Sequence, residues 1–221
     1  MTRTIICFGD SNTHGAHPDP SIGGRHPRDV RWPGVMRAAL GEGYEVIEEG
    51  LNGRCTVWDA AIEPGRNGSD YLAPCLLSHR PVDLVIIMLG TNDLKGIYGQ
   101  TASEIACGAG ALIDLARGTL AGPDGTPPRV LLVSPVPVMF TPHSEMWGFG
   151  HGIEEGKRLA GMYELMAAGK GVGFFDAGSV AQVSRLDGVH LDAGGHAALG
   201  AAMAEAVRGE LARSWMLPVR E

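Results

Sequence analysis

Three side chains that lie far apart in the sequence have the types that covalent catalysis needs. Ser11 follows an apolar run (residues 4–8) and a Gly-Asp pair, while Asp187 and His190 occur together in Asp-Gly-Val-His. A serine hydroxyl becomes a good nucleophile when a histidine takes its proton and a carboxylate orients that histidine. These residues therefore predict a Ser-His-Asp triad, although an Asp-x-x-His spacing alone is also typical of a surface turn or a helix cap.

Acyl transfer also needs hydrogen-bond donors that face the developing oxyanion. The backbone N–H of Ser11 is one candidate, because it opens a predicted helix. Gly53, in Glu-Gly-Leu-Asn-Gly-Arg, offers an unobstructed N–H, and Asn92, in Gly-Thr-Asn-Asp, offers a side-chain amide. The Gly-Thr-Asn-Asp sequence is equally typical of an ordinary turn after a strand.

The elements that would position these groups alternate along the chain. Strand-like apolar runs occur at residues 4–8, 44–48, 83–89, 129–134 and 173–176. Helical patterns occur at residues 33–40, 69–78, 101–117, 154–168 and 193–213. This alternation predicts one α/β domain over residues 1–221, a three-layer α/β/α sandwich around a five-stranded parallel sheet, with the flavodoxin-like order 2-1-3-4-5.

The candidate residues follow different predicted strands. In parallel α/β sheets, ligands bind beyond the carboxyl ends of the strands. Ser11 follows the first predicted strand, Gly53 the second, Asn92 the third, and Asp187 with His190 the fifth. The sequence therefore predicts that they meet at one edge of the sheet.

Composition limits the partners and the compartment. The formal net charge of −7 and the sequence pI of 5.6 disfavour nucleic acid, which would require a basic patch. No apolar run approaches the roughly 20 residues of a membrane span, and no signal-peptide pattern is present. The four cysteines form no C-x-x-C pair. We therefore expect a cytoplasmic protein with reduced thiols, without a membrane or nucleic-acid partner.

Taken in order, the sequence blocks resemble those of the SGNH hydrolases in the GDSL esterase/lipase family. The blocks are Gly-Asp-Ser11, Gly53, Gly-Thr-Asn92-Asp and Asp187-Gly-Val-His190. The resemblance implies the SGNH hydrolase fold, with Ser11 as nucleophile, His190 as base and then acid, and Asp187 as its orienting partner. It also implies an oxyanion hole formed by Ser11, Gly53 and Asn92, and it implies no metal and no cofactor.

Three stretches are similar in particular to the bacterial arylesterase and acyltransferase (perhydrolase) subgroup. They are residues 46–51, 83–93 and 174–179. This resemblance implies a serine esterase for short-chain acetyl or aryl esters, with acyltransferase activity and homo-oligomers as further expectations. One departure is His14, near the nucleophile, where members of the subgroup often carry an aromatic residue.

Substrate-binding residues are predicted around these blocks. We expect Asn52 and His14 to contact the substrate, together with Phe140 and Trp147 from the Pro- and Gly-rich segment 135–152. That segment looks too rich in proline and glycine for a regular element. Its apolar side chains predict either a pocket wall or a subunit interface.

Some alternatives remain open from the sequence alone. The same scaffold hosts carbohydrate O-deacetylases and thioesterases, and a non-catalytic binding module could keep the fold. His14, His17 and nearby acids have no recognised ligand spacing, so no metal site is predicted there. Asp10, beside the nucleophile, is expected to bind backbone N–H groups rather than to act in catalysis.

Overall fold

The strands form one parallel sheet. The computed structural model describes residues 2–213 of the chain. Its five strands are β1 (Arg3–Gly9), β2 (Tyr44–Gly50), β3 (Leu84–Met88), β4 (Arg129–Ser134) and β5 (Gly173–Asp176). Their order in the sheet is β2-β1-β3-β4-β5, and every neighbouring pair is parallel. The predicted strand order is therefore confirmed.

Helices connect the strands. They are α1 (Ser11–His14), α2 (Trp32–Leu40), α3 (Gly68–Ser78), α4 (Ala102–Gly118), α5 (Pro142–Met146), α6 (Ile153–Lys170) and α7 (Ala193–Ala212). Two of the three longest helices begin with a side-chain cap: Thr101 and Glu104 form a capping box on α4, and the Asp192 side chain caps α7. The predicted strands and long helices all form, with ends that differ from the predicted ones by at most two residues.

Two apolar cores lie on opposite faces of the sheet. On one face of the sheet, side chains from α3, α4 and α6 pack against strand residues such as Ile6, Phe8 and Ile87. On the other face, α2 and α7 pack against the alternate positions, among them Ile5 and Ile86. This arrangement gives the α/β/α layers expected for a sheet buried on both sides. Within residues 2–213, no helix is long and apolar enough to cross a bilayer.

Segment 135–152 differs from the sequence expectation. It contains the short helix α5 and a 3-10 turn at Gly150–Gly152, so the prediction that it lacks regular structure is wrong. The reason is local capping. Ser144 N–H donates to Oγ1 of Thr141 (3.0 Å), Thr141 N–H donates to Oγ of Ser144 (2.9 Å), and Pro142 stands at the first helical position, where proline is tolerated.

Candidate active site

The turn after β1 presents Ser11 at the carboxyl edge of the sheet. Asn12 N–H donates to Oδ1 of Asp10 (2.9 Å), so Asp10 caps α1 as expected. Burial raises the pKa of the Asp10 carboxyl. Gly9 makes the tight turn feasible, because an added Cβ would lie 2.1 Å from Oγ1 of Thr13. The nucleophile candidate therefore stands on a closely packed, capped turn.

The three predicted triad residues meet at this turn. Nε2 of His190 lies 3.0 Å from Oγ of Ser11, and Nδ1 of His190 lies 2.6 Å from Oδ2 of Asp187. A carboxylate only accepts hydrogen bonds, so Nδ1 carries the ring proton and Nε2 is free to accept from the hydroxyl. This tautomer is the one that a general base requires.

Several hydrogen bonds fix the conformation of the Asp187–His190 turn. Oδ1 of Asp187 accepts from the backbone N–H groups of Val189 and His190, both at 2.9 Å. Oγ1 of Thr141 donates to the carbonyl of Asp187 (2.6 Å). Gly188 has a φ of 77°, a conformation that favours glycine. The carboxylate is therefore fully buried and fixed in one orientation.

Asn12 joins the nucleophile turn to the histidine turn. Its Nδ2 donates to the carbonyl of Val189 (3.1 Å), and its Oδ1 accepts from Leu191 N–H (2.9 Å). These two bonds bracket His190 and join its turn to the turn that carries Ser11. Sequence reasoning missed this positioning role, since nothing in the local pattern distinguishes Asn12 from an ordinary helical residue.

The predicted oxyanion donors line the same cavity as Ser11. Ser11 is the first residue of α1, so its N–H has no partner within the helix. Gly53 has a φ of 80°, and its N–H makes no hydrogen bond within residues 2–213. Nδ2 of Asn92 donates one hydrogen to the carbonyl of Arg54 (3.1 Å). Because an amide carries two hydrogens, the second is available to a ligand.

Replacing Asn92 with alanine is expected to lower kcat by roughly 10²- to 10³-fold, because the oxyanion would lose a fixed donor. Steady-state kinetics on p-nitrophenyl acetate measure the effect. Asn52→Ala is the matched control, since Asn52 is an exposed amide on the same cavity. If Asn92→Ala keeps kcat within about threefold of the wild type, Asn92 is not an oxyanion donor.

Buried polar groups form hydrogen bonds next to the predicted oxyanion donors Gly53 and Asn92. Asp93 accepts from the N–H of Thr56 at 3.0 Å and also from its hydroxyl. Burial raises the pKa of Asp93 to about 6, while the bonds from Thr56 oppose that shift. Nη1 of the buried Arg54 donates to the carbonyl of Gly9 (3.0 Å), and its guanidinium lies over the Phe8 ring. These contacts hold the loop with Gly53 against β1.

The cavity above Ser11 has a volume of about 680 Å³. Its walls include the catalytic candidates together with apolar and charged groups: Ser11, Ala16, Asn52, Gly53, Ile62, Glu63, Pro64, Arg66, Asn92, Lys95, Met146, Trp147, Phe149, Val189 and His190. The ring of Trp147 meets His190 edge-on, with centroids 5.7 Å apart. Segment 135–152 thus forms part of the pocket wall, which was one of its two predicted roles.

The structure brings Asn52 and Trp147 to the cavity but does not bring His14 or Phe140 there. The imidazole of His14 hydrogen-bonds the backbone of Gly50, and its pKa is lowered by burial and by the charge of Arg25. Its side chain is therefore directed to the end of β2. Phe140 is 67% exposed, and it is absent from the cavity walls. These two residues have no position from which to contact a ligand at Ser11 in this conformation.

Charged residues on the cavity wall were missed by sequence reasoning. Nζ of Lys95 pairs with Oε1 of Glu63 at 2.8 Å. The guanidinium of Arg66 makes no ion pair or hydrogen bond within residues 2–213, and its Nε would lie 3.3 Å from a Cβ added to Gly53. Glu63 and Arg66 lie on the loop between Gly53 and α3, and Lys95 lies on the turn after β3. No sequence motif marks these positions.

One group of potential metal ligands occurs among the described residues, away from Ser11. Ligand atoms of Glu49, Cys75 and His79 lie within 4.8 Å of one another. Burial, reinforced by Glu49, raises the pKa of Cys75 to about 12, so the thiol stays protonated near neutral pH. The positive charge of the Arg54 guanidinium opposes this rise in the pKa of Cys75. A metal ion bound here would have to displace the thiol proton and lie near a guanidinium, and both requirements weaken its binding.

A family model and solved structures match the chain. The model of the GDSL-like lipase/acylhydrolase family matches residues 7–198. No curated protein matches the chain. Among solved structures, an aryl esterase of M. smegmatis is 42% identical with a TM-score of 0.90, covering 95% of this chain and 100% of its own.

Two further structures are similar over nearly the same length. A carbohydrate acetylesterase from Sinorhizobium meliloti is 42% identical, with a TM-score of 0.89 and coverage of 94% of this chain and 99% of its own. A putative arylesterase from Agrobacterium tumefaciens str. C58 is 44% identical, with a TM-score of 0.88 and coverage of 95% and 100%. The family model, which matches residues 7–198, spans all the candidate catalytic residues from Ser11 to His190.

Proposed function

The chain belongs to the GDSL-like lipase/acylhydrolase family, and on that premise we propose that it cleaves short-chain carboxylic esters through an acyl-serine intermediate. The protein is a carboxylic ester hydrolase with arylesterase and carbohydrate acetylesterase structures as its neighbours. The observation that carries the proposed mechanism is the hydrogen-bonded chain from Ser11 through His190 to Asp187.

The first half-reaction forms the acyl-enzyme. Nε2 of His190 takes the hydroxyl proton while Oγ of Ser11 bonds to the ester carbonyl carbon. The carbonyl oxygen becomes an oxyanion that accepts from the N–H groups of Ser11 and Gly53 and from Nδ2 of Asn92. The C–O bond to the alcohol then breaks, and the alcohol leaves with the proton from Nε2.

The second half-reaction transfers the acyl group to an acceptor. Water gives up a proton to Nε2 of His190 and attacks the acyl carbon, and collapse of the new tetrahedral intermediate returns the proton to Oγ of Ser11. An alcohol or hydrogen peroxide that reaches the same carbon gives acyl transfer or perhydrolysis instead. We propose both as side activities, supported by the apolar groups Met146, Trp147 and Phe149 on the cavity wall.

The polarity of the cavity favours small acyl groups. A long alkyl chain would have to cover charged wall groups, among them Arg66 and the Lys95–Glu63 pair. Desolvating such groups without a polar partner is unfavourable. Acetyl and other short acyl groups leave these side chains in contact with water.

We therefore expect kcat/KM to be highest for two- to four-carbon acyl groups and to fall by roughly tenfold or more at eight carbons, a difference of about 1.4 kcal/mol. The measurement is a p-nitrophenyl ester series from acetate to octanoate. A profile that rises steadily to octanoate would contradict the proposed short-chain preference.

A carbohydrate ester is the second candidate substrate, since one similar structure is a carbohydrate acetylesterase. Asn52, Glu63 and Arg66 offer polar partners to sugar hydroxyls, whereas Trp147 and Phe149 offer apolar surface to an aryl group. Parallel kinetics on phenyl acetate, an acetylated sugar and an acetyl thioester separate the classes. A roughly hundredfold preference for the sugar ester, about 2.7 kcal/mol, would replace the arylesterase assignment.

Three broader properties also remain proposals. We infer one domain over residues 1–221, of which residues 2–213 are described, and a homo-oligomer in which exposed apolar groups such as Phe140 lie at a subunit contact. We also infer a cytoplasmic location, supported by the free, buried thiols of Cys7, Cys55 and Cys75. The proposed partner is a small ester, with neither nucleic acid nor a membrane involved.

A further inference from the structure

A second, strongly basic cleft lies beside the edge strand β2, apart from the cavity above Ser11. Four arginines converge there on one glutamate. The cleft is lined by Arg25, Arg28, Arg31, Arg37, Tyr44, Glu45, Val46, Ile47 and Glu48, and its volume is about 620 Å³. None of these residues lines the cavity that holds Ser11.

The carboxylate of Glu48 is shared among all four guanidinium groups. Its Oε2 lies 2.8 Å from Nη1 of Arg31 and 3.3 Å from Nη2 of Arg25. Its Oε1 lies 3.5 Å from Nε of Arg28 and 3.7 Å from Nη1 of Arg37. The last two distances exceed those of good hydrogen bonds. With respect to residues 2–213, Arg28 and Arg37 therefore keep donors free for another acceptor.

The cleft is positively charged, whereas the whole chain carries a negative net charge. The protein has a formal net charge of −7. The cleft, in contrast, is lined by four guanidinium groups and only two carboxylates, those of Glu45 and Glu48. Two positive charges are left without a counter-ion on the walls. Like charges held this close repel one another unless an anion lies between them.

Arg31 is the buried member of the cluster. It is 7% exposed, and its Nε and Nη1 have no well-aligned hydrogen-bond acceptor within residues 2–213. Burial lowers the pKa of Arg31, Glu48 opposes that shift, and the other three arginines add to it. A buried guanidinium with an unsatisfied donor needs an acceptor, because the unmade bond is costly.

We propose that this cleft binds a small tetrahedral oxyanion, phosphate or sulfate, held by Arg28, Arg31 and Arg37. Planar guanidinium forks match the oxygen pairs of such an anion and bind it with charge-assisted hydrogen bonds. The cleft volume of about 620 Å³ leaves ample room for it. The glutamate pre-arranges the arginines, and the anion supplies the missing negative charge.

The arginines of this cleft also contact the end of α1, the helix that begins with Ser11. Nε of Arg25 donates to the carbonyl of His14 (2.5 Å), the last residue of α1. The side chain of Arg31 packs against Gly15, where an added Cβ would lie 2.3 Å from its Cγ. Because Arg31 is one of the three proposed ligands, a bound anion would stabilise its packing against Gly15, which follows α1.

Titration calorimetry with inorganic phosphate, at constant ionic strength and low chloride, tests the proposal. We expect one saturable phosphate site per chain with a Kd of about 1 mM or below, and sulfate should compete for it. In the double variant Arg28→Gln/Arg37→Gln, binding should weaken by roughly tenfold or more, because two charged donors are lost.

Two further variants make the test specific. The matched control Arg158→Gln/Arg185→Gln removes the same charge from exposed positions outside the cleft and should bind phosphate like the wild type. Glu45→Gln removes an exposed negative charge from the cleft wall and should tighten binding by about threefold, by weakening the repulsion of the anion. Absence of saturable binding to the wild type, or equal affinity of the wild type and Arg28→Gln/Arg37→Gln, would overturn the proposal.

Discussion

Replacing Ser11 with alanine is expected to lower kcat on p-nitrophenyl acetate by roughly 10⁴- to 10⁶-fold. The variant keeps the cavity and the oxyanion donors but loses the oxygen that forms the acyl-enzyme. Any residual rate would come from water attacking an ester already held in the oxyanion hole. KM should change much less than kcat, since the hydroxyl contributes to the transition state more than to ground-state binding.

Ser103→Ala is the matched control for that substitution. Ser103 is exposed on α4, and its hydroxyl lies 3.1 Å from that of the exposed Thr101, at a distance that allows a hydrogen bond. It should retain the wild-type rate. If Ser11→Ala kept more than about a tenth of the wild-type kcat, a difference of at most about 1.4 kcal/mol, Ser11 could not be the nucleophile.

Replacing Asp187 with asparagine is expected to lower kcat by about 10⁴-fold through the tautomer of His190. Two backbone N–H groups, those of Val189 and His190, bind Oδ1 of Asp187 and would keep the amide oxygen in that position. The amide nitrogen then replaces Oδ2 and presents hydrogens to Nδ1 of His190. The ring must carry its proton on Nε2 instead, where it can no longer accept from Ser11.

Asp124→Asn is a suitable control for this change. Asp124 is exposed, and its φ of 56° lies in the left-handed region that asparagine tolerates. Steady-state kinetics and thermal melts of both variants separate catalysis from folding. A folded Asp187→Asn enzyme with less than about a tenfold loss in kcat would show that this carboxylate does not control the histidine tautomer.

The sequence was sufficient for the sheet and for the meeting of the triad. Strands such as residues 129–134 are short apolar runs between helical patterns, and parallel order brings their carboxyl ends to one edge. Ser11 and His190 follow different strands, so the topology alone places both at that edge. The two turns lie 3.0 Å apart at Ser11 and His190, and Asn12 joins them through two hydrogen bonds to the histidine turn that no sequence pattern predicts.

The cavity wall was predictable only in part. Trp147 lies in a segment whose apolar side chains indicated a pocket wall, and it does contact His190. Phe140 belongs to the same segment, but it precedes α5, is exposed and does not line the cavity. His14 is adjacent to the nucleophile turn in sequence, yet the helical turn of α1 points its ring to Gly50. Side-chain direction within a short helix is set by geometry that sequence proximity does not reveal.

The sequence also did not predict the charged groups in the cavity above Ser11 or in the basic cleft beside β2. Arg66 and Lys95 are separated along the chain and lie on different loops of one cavity. The arginines around Glu48 come from a loop and from α2, and their target is on β2. Such clusters form through tertiary packing, so their net charge emerges only when the elements are assembled.

Labelling with a serine-directed organophosphate shows whether Ser11 is the nucleophile. Folded protein is incubated with diethyl p-nitrophenyl phosphate, and the intact mass, the modified peptide and the remaining esterase activity are followed together. We expect a single diethylphosphoryl group per chain, located on Ser11, with activity lost in proportion to labelling and no adduct in Ser11→Ala. An active, folded protein that takes up no label, or loses activity through an adduct on another residue, would contradict it.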